Sequence, residues 1–550
     1  MTLKLAAAQI NACVGDLAGN ALKILHAAQA AHAAGAQILV TPELSLTGYP
    51  PEDLLLRPSF LRRSTAVLES LAADLGALQG LSVLVGHPGQ LEGGQISNSA
   101  SLLQSGHVVA QYGKLELPNY AVFDEQRYFS PDGAPLVVEV QGVRVGVVIC
   151  EDVWFPRAAA MSRAEGAQVL VVMNASPFHT NKFEERLRVL RQHVTRHEMP
   201  AVFCNLVGGQ DELIFDGDSF AIDAMGEVKG RAASFQEDML VLEFSPSGEL
   251  VVGSVAAPLT GHEQAYQALV LGTRDYVYKN GFEGALVGLS GGVDSALTLA
   301  IAVDALGADQ VTAVMMPSPY TADISVEDAR LCAQALGVVL HEMPIAPAFA
   351  ALESTLAPVF AGAAADLTEE NLQSRIRGVL LMALSNKTGR LLLTTGNKSE
   401  MAVGYCTLYG DMAGGYAVIK DLLKGSVYAL CQLRNARAVA QGLPAPIPER
   451  ILTRAPTAEL RPNQTDQDSL PPYDVLDDIL SRFVEQGQST AEILAAGHPQ
   501  QTLEQVLRLL RLSEYKRRQA APGARISPRA FGRDWRFPLT NRFHEKEFFQ

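Results

Sequence analysis

The run Ala285-Leu-Val-Gly288 passes without a spacer into Leu289-Ser-Gly-Gly-Val-Asp-Ser295 and then into a helix-like segment, Ala296 to Leu306. A strand, a glycine turn and a helix joined this tightly point to a parallel α/β sheet, with the turn at the carboxyl end of a strand. Glycine lets the backbone turn sharply and approach a ligand, and the free N–H groups at the start of a helix, with its positive dipole end, attract an anion. Ser290 and Ser295 add hydroxyl donors. The loop lacks the Walker lysine and does not follow G-x-G-x-x-G spacing, so the two commonest nucleotide signatures are excluded. Asp294 is a poor direct partner for phosphate but a suitable ligand for Mg²⁺, which binds carboxylate and phosphate oxygens together. A serine-capped glycine turn without a ligand is the alternative reading of the same residues.

Around this loop, Gln310 to Met316, Val338 to Met343 and Arg390 to Thr395 are apolar, strand-like runs that alternate with helix-like segments. They predict a doubly wound parallel sheet. Upstream, Leu81 to Gly86, Val143 to Cys150, Val169 to Asn174 and Ala201 to Val207 read as strands, and Asn20 to Gly35 and Lys182 to His197 as helices. Ser219 to Asp223 and Leu240 to Phe244, set off by Gly- and Ser-containing turns, predict an antiparallel finish to this first sheet system. The aperiodic stretch Gly253 to Gly261 separates the two patterns, so the expected domains are 1–261 and 262–550. Pro444 to Pro472, rich in Pro and polar residues, reads as a long loop able to serve as a lid.

Composition narrows the function classes. A chain that is 48% hydrophobic and 19% charged buries large cores and is not disordered. Lys and Arg number 44 against 59 Asp and Glu, a net charge of -15, which offers no global attraction for a nucleic acid. The six cysteines are scattered, with no C-x-x-C pair and no zinc spacing, and no run reaches the roughly 20 apolar residues of a membrane span. The expectation is a cytoplasmic protein with small-molecule substrates and neither nucleic-acid nor membrane partners.

Three segments of the first half place reactive side chains at strand ends or loops: Thr41-Pro-Glu-Leu-Ser45, Tyr112-Gly-Lys-Leu115 and Val148-Ile-Cys-Glu-Asp152. A cysteine after an apolar strand is by default a core residue, and Glu43 and Lys114 are by default surface residues. Together they can do more. A free thiol is mostly protonated near neutrality, so attack on an amide needs a base and a cationic oxyanion partner, which Glu43 and Lys114 supply, with a backbone N–H after Cys150. Glu125, in Phe123-Asp-Glu-Gln-Arg127, reads either as a second acid near the thiol or as an ion-pair partner of Arg127 or another neighbour.

The Glu43, Lys114 and Cys150 segments resemble the triad of the nitrilase superfamily, amidases built as a four-layer αββα sandwich. The resemblance implies a thioester on Cys150, release of ammonia, and a glutamine site at Tyr120, Ser176 and Lys182. Ser290 to Ser295 resembles the signature of the ATP pyrophosphatases, which cleave ATP between its α and β phosphates. With Leu393-Thr-Thr-Gly-Asn-Lys-Ser-Glu400, Tyr409 to Gly415 and Ile419 to Lys424, the second half is similar to the NAD synthetase branch. That likeness implies a Rossmann-like domain with ATP at Gly288, Leu289, Ser290, Gly291, Gly292, Val293, Asp294, Ser295, Thr395, Lys424 and Thr457. It further implies deamido-NAD⁺ at Asn371, Glu400 and Lys516, Mg²⁺ at Asp294 and Glu400, and a homo-oligomer, at least a dimer, formed through the second domain. An amidase and an adenylating ligase on one chain make joint sense if ammonia from glutamine, or free ammonia, is consumed by the second site. An amidase feeding a different adenylated carboxylate, and a nucleotide sensor on an inert scaffold, are the competing readings.

Overall fold

The computed structural model describes residues 2–543. The chain divides into two units, 1–260 and 261–550.

In the first unit, alternation along each strand builds the layers. Leu3, Leu5 and Ala7 of the strand Leu3–Gln9 face a core shared with Val145, Val147, Val171 and Phe203, whereas Ala6 and Ala8 face the helices Leu17–Ala33 and Pro58–Leu75. Period-two side-chain direction thus buries both faces of one sheet. That sheet has seven strands, in the order Leu250–Val252, Asp238–Phe244, Leu3–Gln9, Ile38–Val40, Ser82–Gln90, Ile96–Gln104 and His107–Gly113. A second sheet of six strands runs Val228–Arg231, Phe220–Ile222, Ala201–Asn205, Val169–Asn174, Val143–Ile149 and Leu136–Val140. Helices Pro156–Ala164 and Lys182–His197 pack on it through Ala158, Ala159, Leu187 and Leu190. The result is the four-layer αββα sandwich. Phe220–Ile222 and Asp238–Phe244 pair antiparallel with their neighbours, as their turn-flanked sequences predict.

Two details depart from the sequence reading. Ile96–Gln104 is a central strand although it is serine-rich, because Ser97, Ser99 and Ser101 are buried with their hydroxyls paired: Ser97 to Ser99 at 2.6 Å and Ser101 to His87 at 2.7 Å. Cys150 is not the last strand residue. The strand ends at Ile149, and Cys150 opens a short 3₁₀ turn, Cys150–Trp154.

The second unit has a five-stranded, all-parallel sheet in the order Val339–Glu342, Val311–Met315, Ala285–Gly288, Leu391–Thr394, Tyr416–Ala417. Chain order reverses between Ala285–Gly288 and Leu391–Thr394, and in open α/β sheets the carboxyl ends at such a switch point form the ligand crevice. Helices Gly261–Lys279, Val293–Leu306 and Lys424–Ala440 pack together, and Leu367–Thr388 packs with Val314 and Met316 through Ile376 and Leu381. A group of short helices, including Tyr473–Leu480 and Gln500–Leu512, encloses its own core around Leu476, Leu503 and Trp535. Among the described residues, no helix is long and apolar enough to cross a membrane.

Candidate active sites

In the first unit, Glu43 sits in the loop after Ile38–Val40, and this loop lies directly on Gly86. A Cβ there would come within 2.4 Å of the Leu44 nitrogen, so glycine is required for the approach. Lys114 follows His107–Gly113, and its backbone N–H donates to Asn98 at 2.8 Å. Both side chains are fully buried, and the Lys114 ammonium donates to Glu43 Oε1 at 2.7 Å and to both oxygens of Glu125 at 2.9 Å. Glu125 is therefore the partner of Lys114. Arg127 lies instead 3.6 Å from Asp53, at the surface.

The other Glu43 oxygen accepts from the Ala175 N–H at 2.9 Å, and Asn98 donates to Oε1 at 2.7 Å, so the carboxylate cannot rotate away. Burial alone would lower Lys114, but attraction by Glu125 and Glu43 holds it well above its ordinary value and keeps it charged. One ammonium shared by two buried carboxylates leaves an excess of negative charge. Burial pushes Glu125 up to about 7 despite Lys114.

Cys150 adopts φ +42, a left-handed backbone uncommon for a side-chain-bearing residue, at the point where the strand turns into the 3₁₀ segment. The turn is held by Asp152. Its Oδ2 accepts from the Ile149 N–H at 2.9 Å and the Tyr112 hydroxyl at 2.7 Å, and its Oδ1 accepts from the N–H groups of Leu115 and Glu116 at 3.0 and 2.9 Å. One carboxylate thereby ties the Lys114 segment to the Cys150 turn. Burial, reinforced by Glu43 and opposed by Lys114, raises the Cys150 thiol well above its ordinary value, so it rests protonated.

The residues assigned to glutamine fall around this centre. Tyr120 is half exposed, and its hydroxyl donates to Glu151 at 3.0 Å. The Lys182 ammonium is 2.8 Å from Glu185 and 4.7 Å above the Trp154 ring. Ser176 Oγ accepts from Arg186 Nε at 3.1 Å, and Arg186, itself buried, pairs with Asp216 at 2.9 Å. Sequence reasoning missed Glu151, although it adjoins Cys150, and Arg186, although it lies one helical turn beyond Lys182.

In the second unit, the whole loop Gly288 to Ser295 lines one cleft of about 310 Å³, together with Thr395, Glu400, Lys424 and Thr457. Gly291 is at φ +84, and a Cβ there would come within 2.2 Å of the Ser325 carbonyl, so no other residue fits. Ser295 Oγ donates to the Gly292 carbonyl at 3.0 Å, and the Gly292 N–H donates to Ser290 Oγ at 3.2 Å, which shapes the loop internally. The helix after Leu391–Thr394 is capped by Asn397, which accepts from the Glu400 N–H at 3.0 Å. Thr395 is thereby left in the cleft wall, while Ser399 accepts from the Lys424 N–H at 3.0 Å.

Asp294 and Glu400 converge on one cation, the Lys424 ammonium, at 2.5 and 3.1 Å. Burial and the Asp294 charge drive Glu400 up to about 7, although Lys424 opposes them. Among the described residues, no group of three or more His, Cys, Asp or Glu is arranged to hold a metal. Two convergent carboxylates completed by phosphate oxygens are nonetheless a donor set that Mg²⁺ accepts, so these residues fit the ion. Asn371 and Lys516 do not line the cleft: Asn371 accepts from the Thr407 hydroxyl at 2.9 Å, and Lys516 donates to the carbonyls of Gly404 and Cys406 at 2.8 and 2.7 Å. Pro444 to Pro472 is not all loop, since Glu449–Thr453 is helical, and Arg454 and Glu459 form part of the cleft wall.

A family model described as NAD synthase matches residues 265–520, and one described as carbon-nitrogen hydrolase matches residues 4–248. The chain is 51% identical over 547 residues to the glutamine-dependent NAD(+) synthetase of Xanthomonas campestris pv. campestris, covering 98% of each. It is 50% identical over 547 residues to that of Xylella fastidiosa, covering 98% of this chain and 99% of the relative. The structure of glutamine-dependent NAD+ synthetase from Acinetobacter baumannii in complex with adenosine diphosphate superposes with a TM-score of 0.79 at 44% identity, covering 98% of this chain and 99% of that one. Likeness of this degree over 98% of the chain makes it a member of the glutamine-dependent NAD⁺ synthetase family.

Proposed function

We propose that the first unit hydrolyses L-glutamine at Cys150 and that the second uses the ammonia to amidate deamido-NAD⁺ after ATP has activated its carboxylate. The observation that carries the reading is the buried Glu43–Lys114 pair acting electrostatically on the protonated Cys150 thiol, whose residue sits in a left-handed turn. A protonated thiol needs its base at the moment of attack. Glu43 takes the Cys150 proton as sulfur bonds to the amide carbon, and Lys114 and a backbone N–H after Cys150 hold the oxyanion. The same proton goes to the leaving nitrogen, ammonia departs, and Glu43 then activates the water that frees glutamate from the thioester.

Tyr120, Ser176 and Lys182 would grip the glutamine backbone. Glu151, an acid bonded to Tyr120 and electrostatically coupled to Lys182, suits the α-ammonium, while Lys182 suits the α-carboxylate.

In the second unit, Gly288 to Ser295 would bind the phosphates of ATP, with Thr395, Lys424 and Thr457 completing the nucleotide site. Asp294 and Glu400 would hold Mg²⁺, which when bound would neutralise charge on the leaving pyrophosphate. The nicotinate carboxylate attacks the α-phosphorus, the α–β bridging bond breaks, and ammonia displaces AMP from the resulting mixed anhydride. Asn371, Glu400 and Lys516 are assigned to deamido-NAD⁺. At least a homodimer through the second unit accords with its exposed apolar side chains Val359, Leu367 and Val379, and sedimentation measures it directly.

The test is NAD⁺ formation from ATP and deamido-NAD⁺, with glutamine or ammonium as donor, by wild type and Cys150→Ala. The wild type is expected to use both donors and the variant only ammonium. Glutamine-driven synthesis by the variant would refute the assignment of the nucleophile.

A further inference from the structure

The two oxygens of Glu43 are not equally occupied. The carboxylate is fully buried, and its Oε1 accepts from the Lys114 ammonium and from Asn98 Nδ2, each at 2.7 Å, while Oε2 accepts from the Ala175 N–H at 2.9 Å. A carboxylate offers about four lone-pair sites, two on each oxygen. Two donors therefore complete Oε1. Oε2 keeps one free site, and among the described residues no further donor reaches it. Ala175 directly precedes Ser176, so Oε2 is the oxygen anchored to the chain beside a residue assigned to glutamine.

Asn98 makes its bond to Glu43 at the expense of its own carbonyl oxygen. The residue is fully buried in the strand Ile96–Gln104, and among the described residues its Oδ1 has no hydrogen-bond partner. Its Nδ2 reaches Glu43 at 2.7 Å and Glu125 Oε2 only at 3.5 Å. An unpaired buried acceptor is destabilising, and turning the amide over would set its carbonyl against the carboxylates instead. The amide orientation is thus fixed by the Glu43 bond. Asn98 also holds the lysine, because its backbone carbonyl accepts from the Lys114 N–H at 2.8 Å. One strand residue therefore registers both Glu43 and Lys114.

We propose that Asn98 is a positioning residue of the glutaminase: by completing Oε1 it reserves the free lone pair of Glu43 Oε2 for the Cys150 proton. This rests on the reading of Cys150 as nucleophile and Glu43 as its base. One proton moves in the step: the S–H bond breaks as sulfur bonds to the amide carbon, Oε2 takes the proton, and the leaving nitrogen receives it as the C–N bond breaks. Without the Asn98 donor, Oε1 regains a free site and the carboxylate is held by fewer bonds, so the proton acceptor loses its fixed place. The loss then falls on kcat and not on KM.

The test is glutaminase kcat and KM of the full-length wild type, Asn98→Leu and Asn98→Ser, together with the rate at which iodoacetamide alkylates Cys150, which reads removal of the thiol proton without glutamine. Thermal unfolding identifies the variants that fold. Leucine keeps the branched shape and removes both polar atoms, while serine suits a strand in which Ser97, Ser99 and Ser101 are already buried but is too short to reach Glu43. Each variant is expected to lose about tenfold or more in kcat, with KM for glutamine changed less than about threefold and alkylation of Cys150 slowed. Wild-type kcat in either folded variant overturns the proposal. A raised KM at wild-type kcat overturns it too, since Asn98 would then serve glutamine binding. Alkylation at the wild-type rate in both variants overturns the assignment of Oε2. If one variant does not fold, the other decides by the same readouts. A wild type that releases no ammonia from glutamine refutes the reading of the site itself, an outcome distinct from the others.

Discussion

The Tyr112 hydroxyl donates to Asp152 Oδ2 at 2.7 Å, joining the strand that delivers Lys114 to the turn that carries Cys150. Asp152 accepts four hydrogen bonds in all, so Asp152→Asn replaces an acceptor oxygen with a donor and leaves buried N–H or O–H groups unpaired. Each unpaired group costs about 1–3 kcal/mol. Glutaminase kcat is expected to fall at least tenfold while ammonium-driven synthesis persists, and Tyr112→Phe should lose less because three donors remain. Parallel assays with the two nitrogen donors check this.

Glu125 contributes to the pH dependence of stability. Burial raises its carboxyl from the ordinary value to about 7, so the folded state holds this proton more tightly than the unfolded chain does. The resulting stability is fully present below the ordinary carboxylate value and is lost as pH rises through about 7. Calorimetry between pH 5 and 8 should show a shallower decline for Glu125→Gln than for wild type. Identical slopes would remove Glu125 from the account.

Gly291→Ala forces a side chain into left-handed backbone, at roughly 1–2 kcal/mol, and drives its Cβ against the Ser325 carbonyl. ATP-dependent synthesis is expected to drop more than a hundredfold with either donor, while glutaminase activity continues. A steady-state comparison of the two activities decides it.

Asp294→Asn removes one of the two carboxylates that converge on Lys424. Synthesis with either donor should fall, and the Mg²⁺ concentration needed for half-maximal rate should rise, with glutamine hydrolysis spared. A Mg²⁺ titration that matches wild type would move the metal elsewhere.

Much of the fold was legible because local pattern and tertiary role agree. The glycine loop, the apolar runs around it and the helix Lys182–His197 follow from periodicity and turn chemistry. The strand Ile96–Gln104 was not legible, because its serines are accommodated only when their hydroxyls find partners, and one of these, His87 for Ser101, comes from the neighbouring strand. Glu125 was legible as an acid but not as the partner of Lys114, since Arg127 is equally near in sequence and only packing separates them.

The glycine-rich loop opening a helix could be read from sequence because its residues act through local backbone geometry, whereas Glu43, Lys114 and Cys150, far apart in the chain, were grouped by family resemblance. Only the tertiary structure decided how the charges are shared. It gave Lys114 to two carboxylates and Lys424 to two others, and tied the Cys150 turn to the Lys114 segment through Asp152. These are contacts between residues far apart in the chain, and their strength comes from burial, a property of the folded state that no local stretch of sequence carries.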